Sequence, residues 1–207
     1  MAPAIGVFDS GFGGLTVLRE LQQVLPTANY LYFGDTAHLP YGAKSVRTVA
    51  KYAIAAAHFL EEHDIEMLVI ACNTATALAF DDIRAAVKVP VVGVVEPGAE
   101  RAASISRSKK AVVVATEATV SSHAYQRALA GHGVEATEKA CPLFVPLVEE
   151  GWVEHRVTAA TENYSGEPIS QEGIVSFRDV RIGVRWTLMC EIFKSAEGPL
   201  PLLNRVA

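Results

Sequence analysis

The sequence predicts an α/β fold in which a mostly parallel sheet carries helices on both faces. Two observations point there. Short Val- and Ile-rich runs alternate with stretches of helical periodicity, the pattern of strand–helix–strand units. Polar clusters also recur just after successive apolar runs, where open parallel sheets place their ligand sites.

The elements follow in order. Ile5–Phe8 reads as a first strand and leads into a Gly-rich turn. Leu15, Leu18, Leu21 and Leu25 then recur at three- and four-residue steps, one face of a helix. Tyr30–Phe33 is a second strand. From Ser45, a candidate helix cap, the residues Val46, Val49, Ala53, Ala56, Ala57 and Leu60 keep helical spacing. Ile65–Ala71 is a third strand and Ala75–Val87 the next helix. Val91–Val95 and Ala111–Ala115 read as further strands, the second leading into a helix from about Ser121 to Ala130. Near Arg101–Lys110 the apolar pattern gives way to Ser, Arg and Lys, a candidate domain boundary.

Composition narrows the function classes. Half of the 207 residues are hydrophobic and a fifth charged, enough apolar material for a sizeable core. A net charge of −5 argues against nucleic-acid binding, which usually needs a basic patch. No run is long enough to read as a membrane span. The N-terminus enters a strand without a charged-then-apolar leader, which points to the cytoplasm. Three widely spaced cysteines, Cys72, Cys141 and Cys190, suit neither a disulfide framework nor zinc.

Successive strand ends carry Asp9-Ser10-Gly11, Gly34-Asp35-Thr36, Cys72-Asn73-Thr74 and Thr116-Glu117, which would converge on one crevice. Cys72 ends an apolar run and opens a helix, where backbone N–H groups and the helix dipole favour a thiolate. Read alone, it is more simply a buried small hydrophobe, the commoner role of a free cysteine. Asn73 and Thr74 add neutral donors beside it, suited to a carboxylate or amino group. Asp9 and Ser10 are either ligands or a capping pair. Gly11, Gly13 and Gly14 look like a phosphate-cradling loop, but no Gly-Lys-Ser/Thr follows. Tyr41-Gly42 after Pro40 is most simply a turn.

Taken together, six ordered blocks resemble glutamate racemases. They are Phe8-Asp9-Ser10-Gly11-Phe12-Gly13-Gly14-Leu15-Thr16-Val17, then Gly34-Asp35-Thr36 through Pro40-Tyr41-Gly42, and then Ala71-Cys72-Asn73-Thr74-Ala75-Thr76-Ala77. Val92–Gly98, Ala115–Thr119 and Cys141–Gly151 continue the likeness, which covers roughly residues 4–158. The resemblance implies two similar parallel-sheet lobes with the active site between them. It divides the chain into an N-terminal lobe (1–100), the start of a second lobe (101–158) and a divergent tail (159–207). It also implies an amino-acid racemase, an isomerase that interconverts L- and D-glutamate without pyridoxal or metal and supplies D-glutamate for peptidoglycan. In such enzymes one thiolate removes the α-proton and a thiol on the opposite face returns one, while a preorganised polar site stabilises the carbanion-like charge. Carried over by position, Cys72 is one acid/base, with Asp9 tuning it or orienting the substrate ammonium. Glu149 matches the carboxylate that assists the opposite thiol. Asp9, Ser10, Tyr41, Gly42, Asn73 and Thr74 match substrate-binding positions. Cys141, followed by Pro142, is expected to be a buried structural thiol. The implied partner is glutamate, with no nucleic acid and no membrane, and a homodimer is compatible.

The family's Gly-Cys-Thr-His-Tyr-Pro motif, which holds its second catalytic cysteine, is absent from the sequence. After Thr158 comes the polar stretch Thr161–Gly173. Residues 180–192 then alternate, with Val180, Ile182, Val184, Trp186, Leu188, Cys190 and Ile192 on one side, a strand-like period. Cys190 lies between Met189 and Glu191, without Thr-His neighbours. The chain is also shorter than is usual in the family. These features lead us to expect a tail read from a shifted frame, an incomplete second lobe with apolar surface open to association, and impaired racemisation. An aspartate racemase is a weaker resemblance, because the whole set of blocks looks like the glutamate enzymes.

Overall fold

In the computed structural model, residues 4–152 are described. Six strands and seven helices alternate along them: β1 (Ala4–Asp9), α1 (Leu15–Val24), β2 (Asn29–Gly34), α2 (Val46–Glu61), β3 (Met67–Ile70), α3 (Asn73–Ala86), β4 (Val91–Gly93), α4 (Val95–Ile105), β5 (Lys110–Ala115), α5 (Glu117–Ser122), α6 (Ala124–Gly131), β6 (Glu135–Ala140) and α7 (Phe144–Glu149). Two short 3-10 turns, Thr36–His38 and Tyr41–Ala43, link β2 to α2. The strands form two parallel sheets, one ordered β2-β1-β3-β4 and the other β5-β6.

The first sheet is covered on both faces, as the alternation predicts. Along β1, Ile5 and Val7 pack with Val17 and Leu21 of α1 and with Met67 and Val69 of β3. Phe8 points the other way, joining Leu68 and Ile70 and the α2 and α3 residues Val49, Ala53, Leu60, Ala75 and Ile83. Successive side chains of a strand face opposite sides, so burial on both sides requires the continuous apolar run seen in the sequence. A smaller core joins Ala99 and Ala103 of α4 to Ala111, Leu129, Val134 and Ala136. Helix α4 therefore runs through positions 100–101 and packs against the second sheet.

The order β2-β1-β3-β4 creates a switch point. From β1 the chain moves to β2 on one side and then returns to β3 on the other. The carboxyl ends of β1 and β3 thus open a crevice between neighbouring strands, the place where doubly wound sheets bind ligands. Asp9 and Ser10 lie at the end of β1, and Cys72 at the end of β3.

Local readings changed at five places. Helix α1 buries Val17, Glu20 and Leu21, while Leu15 is 46% exposed, so the buried stripe is rotated from the leucine face. The run Val91–Val95 is a strand only to Gly93. Val95 starts α4, and Pro97 fits its first turn because N–H groups there have no intrahelical acceptor. The stretch 121–130 is broken at His123, whose φ of 53° ends α5 in the left-handed region. Helix α6 restarts with Glu138 Oε1 accepting from Gln126 N at 3.2 Å. Strand β6, Glu-Ala-Thr-Glu-Lys-Ala, was not anticipated, since its charges hide a strand that pairs with β5 on one side. Cys141 is only half-buried at the end of β6, not enclosed as expected. The Ser45 cap is present, its Oγ accepting from Thr48 N at 3.2 Å. Cys190, the polar stretch 161–173 and the alternating run 180–192 lie outside the described residues.

Candidate active site

Asp9 organises the turn after β1. Its Oδ2 accepts from Gly11 N and Gly14 N, each at 3.0 Å. The glycine loop thus turns its N–H groups onto the chain's own carboxylate, the arrangement that a phosphate would otherwise exploit. The choice between capping and ligand is therefore not exclusive: Asp9 satisfies the N–H groups ahead of α1 and still sits at the crevice. Gly14 has to lack a side chain here, because a Cβ would stand 2.6 Å from Asp9 Cβ. The Tyr32 hydroxyl, on β2, donates to Gly11 O at 2.9 Å and lies 3.4 Å from Asp9 Oδ2. Asp9 is 6% exposed. Burial raises its carboxyl above the usual range, opposed by the N–H groups of Gly14, Gly11 and Ser10 and by Tyr32.

Cys72 is the N-cap of α3, and its Sγ accepts from Ala75 N at 3.4 Å. Across the crevice the thiol donates to Ser10 Oγ at 3.2 Å. The helix terminus favours the thiolate, as anticipated, but other effects win. Burial, followed by the negative charge of Asp9, pushes the thiol up from an ordinary 9.0 to about 11, against the lowering effect of Ser10 and the Ala75 N–H. Desolvation of the buried sulfur outweighs the hydrogen bonds from Ser10 and Ala75 that favour the thiolate.

Tyr41 is far more than a turn residue. It is 2% exposed, and its hydroxyl donates to Asp35 Oδ2 at 2.6 Å. Asp35 also meets His38 Nδ1 at 2.7 Å, and its own N–H donates to Asp9 O at 2.9 Å. This ties the 36–43 segment to the end of β1. Gly42 then lies against Thr116, the cap of α5, where a Cβ would stand 2.6 Å from Thr116 Cβ and Cγ2. Thr116 Oγ1 is 3.1 Å from Thr74 Oγ1, and Thr119 Oγ1 donates to Thr74 Oγ1 at 3.4 Å. Asn73 Oδ1 accepts from Tyr125 of α6 at 2.5 Å. Glu149, at the end of α7, is exposed and comes close to the Gly11 turn. Its Oε1 lies 3.5 Å from where a Gly11 Cβ would be. Its carboxyl is raised by partial burial, then by Asp9 and Glu150.

The residues singled out from sequence, Asp9, Ser10, Tyr41, Gly42, Cys72, Asn73, Thr74 and Glu149, thus fall into one connected neighbourhood. Sequence reading missed two side chains that hold it. Tyr32 and Tyr125 gave no signal, because each sits within an ordinary apolar pattern. Asp35, expected at the crevice as part of a strand-end cluster, lies there. Among the described residues no group of three or more His, Cys, Asp or Glu is placed to hold a metal. No described helix is long and apolar enough to cross a membrane.

The profile of the Asp/Glu/Hydantoin racemase family matches residues 5–167. The chain belongs to that family. A glutamate racemase of Koribacter versatilis is 65% identical over 156 residues, which are 75% of this chain and 54% of that protein. The chain thus spans little more than half of that racemase's length. The crystal structure of glutamate racemase from Campylobacter jejuni subsp. jejuni has a TM-score of 0.76 at 41% identity, covering 81% of this chain and 68% of the other. That of the Francisella tularensis glutamate racemase in complex with D-glutamate has a TM-score of 0.73 at 37% identity, covering 79% and 62%. The two parallel sheets with flanking helices seen here are the α/β fold of these racemase relatives.

Proposed function

We propose that this chain carries the Cys72 half of a cofactor-independent glutamate racemase site. The observation that carries the reading is the Cys72 thiol, 3.2 Å from Ser10 Oγ at the β1/β3 switch point and beside the buried Asp9. Asp9 and Cys72 are both disfavoured in their ionised forms, so a ligand ammonium in the crevice would stabilise both anions. The ligand's carboxylates would meet neutral donors from Ser10, Asn73, Thr74 and the Tyr41–Gly42 backbone. Cys72 is the acid/base on one face of the α-carbon, and Asp9 orients the ammonium and tunes the thiol. Glu149, whose Oε1 lies near the Gly11 turn, is the carboxylate that would assist an opposite-face thiol. The racemase relatives, one solved with D-glutamate, support glutamate as the ligand.

In this reading the lobes are residues 1–100 and 101–158, with 159–207 a divergent tail. The protein is cytoplasmic, provides D-glutamate for the cell wall and is open to homodimer formation. One observation favours a second reading, a glutamate- or partner-binding homologue with impaired catalysis: the sequence carries no Gly-Cys-Thr-His motif.

Incubation of the 207-residue chain with L- and D-glutamate in D₂O tests both. Proton NMR would follow α-proton exchange, and circular dichroism would follow racemisation. We expect saturable glutamate binding that aspartate does not match, with little racemisation. Rapid racemisation would show that a second base is present. Absence of glutamate binding would remove the racemase reading altogether.

A further inference from the structure

Strand β2 brings two residues onto one carbonyl. Tyr32 and Gly34 are two positions apart, so they share a face of the strand, and they pair with Val7 and Asp9 of β1. The Tyr32 hydroxyl donates to Gly11 O at 2.9 Å. Gly34 leaves room for the same oxygen, because a Cβ there would collide with it. Along the chain, Gly11 O lies between the N–H groups of Gly11 and Gly14, which both meet Asp9 Oδ2 at 3.0 Å. Whatever fixes this carbonyl therefore fixes the turn that carries both donors.

The direction of the bond is not open. A peptide carbonyl can only accept, so the hydrogen is Tyr32's own. Burial, followed by the Asp9 charge, holds the phenol above its ordinary 10.0, so it is a donor at neutral pH. The same hydroxyl lies 3.4 Å from Asp9 Oδ2, a second acceptor for its one hydrogen and a stronger one when the carboxyl is ionised. We infer that Tyr32 is a positioning residue for Asp9: its hydroxyl clamps the Gly11 carbonyl, so that the turn keeps two N–H groups on the carboxyl, and it stands as a third donor to the charged form. The use of Asp9 toward a glutamate ammonium rests on the racemase reading. The hold of Tyr32 on the turn does not.

Tyr32→Phe in the full chain removes only the hydroxyl. Tyr30→Phe is the control, because Tyr30 lies on the same face of β2 but directs its hydroxyl to Leu21 O and Leu25 O, at 2.8 and 2.9 Å. Carbon-detected NMR reads the Asp9 carboxyl. Its pKa should rise in Tyr32→Phe, where the charged form loses a donor, and hold in Tyr30→Phe. Amide hydrogen exchange at Gly11 and Gly14 should quicken about fivefold in Tyr32→Phe alone, the loss of one hydrogen bond. An unmoved Asp9 pKa in folded Tyr32→Phe would overturn the inference, and so would an equal rise in Tyr30→Phe. If Tyr32→Phe fails to fold, the unmodified chain still decides. Its Tyr32 ring ¹³Cζ signal should step at the Asp9 midpoint and lose that step in Asp9→Asn, and a signal without the step would overturn the inference. Calorimetry adds the glutamate arm: affinity should fall on acidification at a higher pH in Tyr32→Phe than in the unmodified chain. If the unmodified chain binds no glutamate, the racemase reading falls, and the Asp9 titration alone decides the role of Tyr32.

Discussion

The Cys72 thiol and the Ser10 hydroxyl lie 3.2 Å apart although 62 positions separate them in the chain. They meet because β1 and β3 are neighbours in the sheet, with Phe8 paired to Ile70. Each strand therefore delivers its next residues to the same edge. The contact depends on the register of two buried strands, and a one-residue slip would separate the pair.

The thiol's ionisation should report this environment. Peptide-resolved alkylation of Cys72 by iodoacetamide is expected to rise with a midpoint near pH 11, well above the ordinary 9.0. Asp9→Asn removes the second cause of the shift, the carboxylate charge, and should move the midpoint down. The folded thiol has the higher pKa, so its contribution to stability is present below about pH 9, the thiol's usual range. That contribution is lost as pH rises toward 11. A Cys72 midpoint that ignores Asp9→Asn would contradict this electrostatic account.

Tyr41 and Asp35 form a buried polar pair at the crevice, at 2.6 Å. Tyr41→Phe leaves a buried carboxylate short of one donor, with only His38 Nδ1 remaining among its side-chain partners named above. The cost should be about 1–3 kcal/mol, the usual penalty for an abandoned buried partner. Urea unfolding measures it. A double-mutant cycle with Asp35→Asn should show coupling of about 1 kcal/mol or more, because the two side chains touch. Additive losses would mean that the bond contributes nothing specific.

Much of this site was legible because its residues follow strands. Phe8, Ile70 and their neighbours are continuous apolar runs, so the polar residues after them, Asp9 and Cys72, mark the sheet's carboxyl edge. What was not legible came from contacts distant in sequence. Tyr32 holds Gly11 from the next strand, and Tyr125 holds Asn73 from the second lobe. Neither bond leaves a local pattern. Charge also misled: β6 reads as polar, and Glu20 is buried on α1 beneath a face that the leucine spacing would have placed elsewhere. The net ionisation of Cys72 was not legible for a related reason, since the helix terminus is visible in sequence while desolvation is a property of the packed crevice.

Glu149 and Asp9 approach the same turn from different elements, and the Asp9 charge raises the cost of charging Glu149. Asp9→Asn should therefore lower the Glu149 pKa, since Asp9 is the second cause of its elevation after burial. Carbon-detected titration of the Glu149 side-chain carboxyl would show it. The sign is fixed: one negative charge removed makes the remaining carboxylate easier to form. A Glu149 pKa that stayed put would place α7 away from the Asp9 turn in solution.

The lobes meet where Gly42 lies against Thr116, and the absence of a side chain there is a structural requirement. Gly42→Ala places a methyl 2.6 Å from both Thr116 Cβ and Cγ2, so the two segments have to separate. The expected cost is about 1–3 kcal/mol, as for other overpacked contacts. Thr116→Ser should restore only part of it, because it removes Cγ2 and leaves Cβ in the way. Gly34→Ala should be worse, since its methyl meets the backbone oxygen of Gly11, which has no rotamer to yield. Gly131→Ala is the control. It ends α6 with nothing within 4 Å of the added carbon, so the change should be neutral or stabilise by roughly 0.5 kcal/mol through helix propensity. Thermal or urea unfolding of the four variants gives the ranking. If Gly42→Ala behaved like Gly131→Ala, the close approach of the lobes at Thr116 would not exist in solution, and the positioning of Thr74 by Thr116 would fall with it.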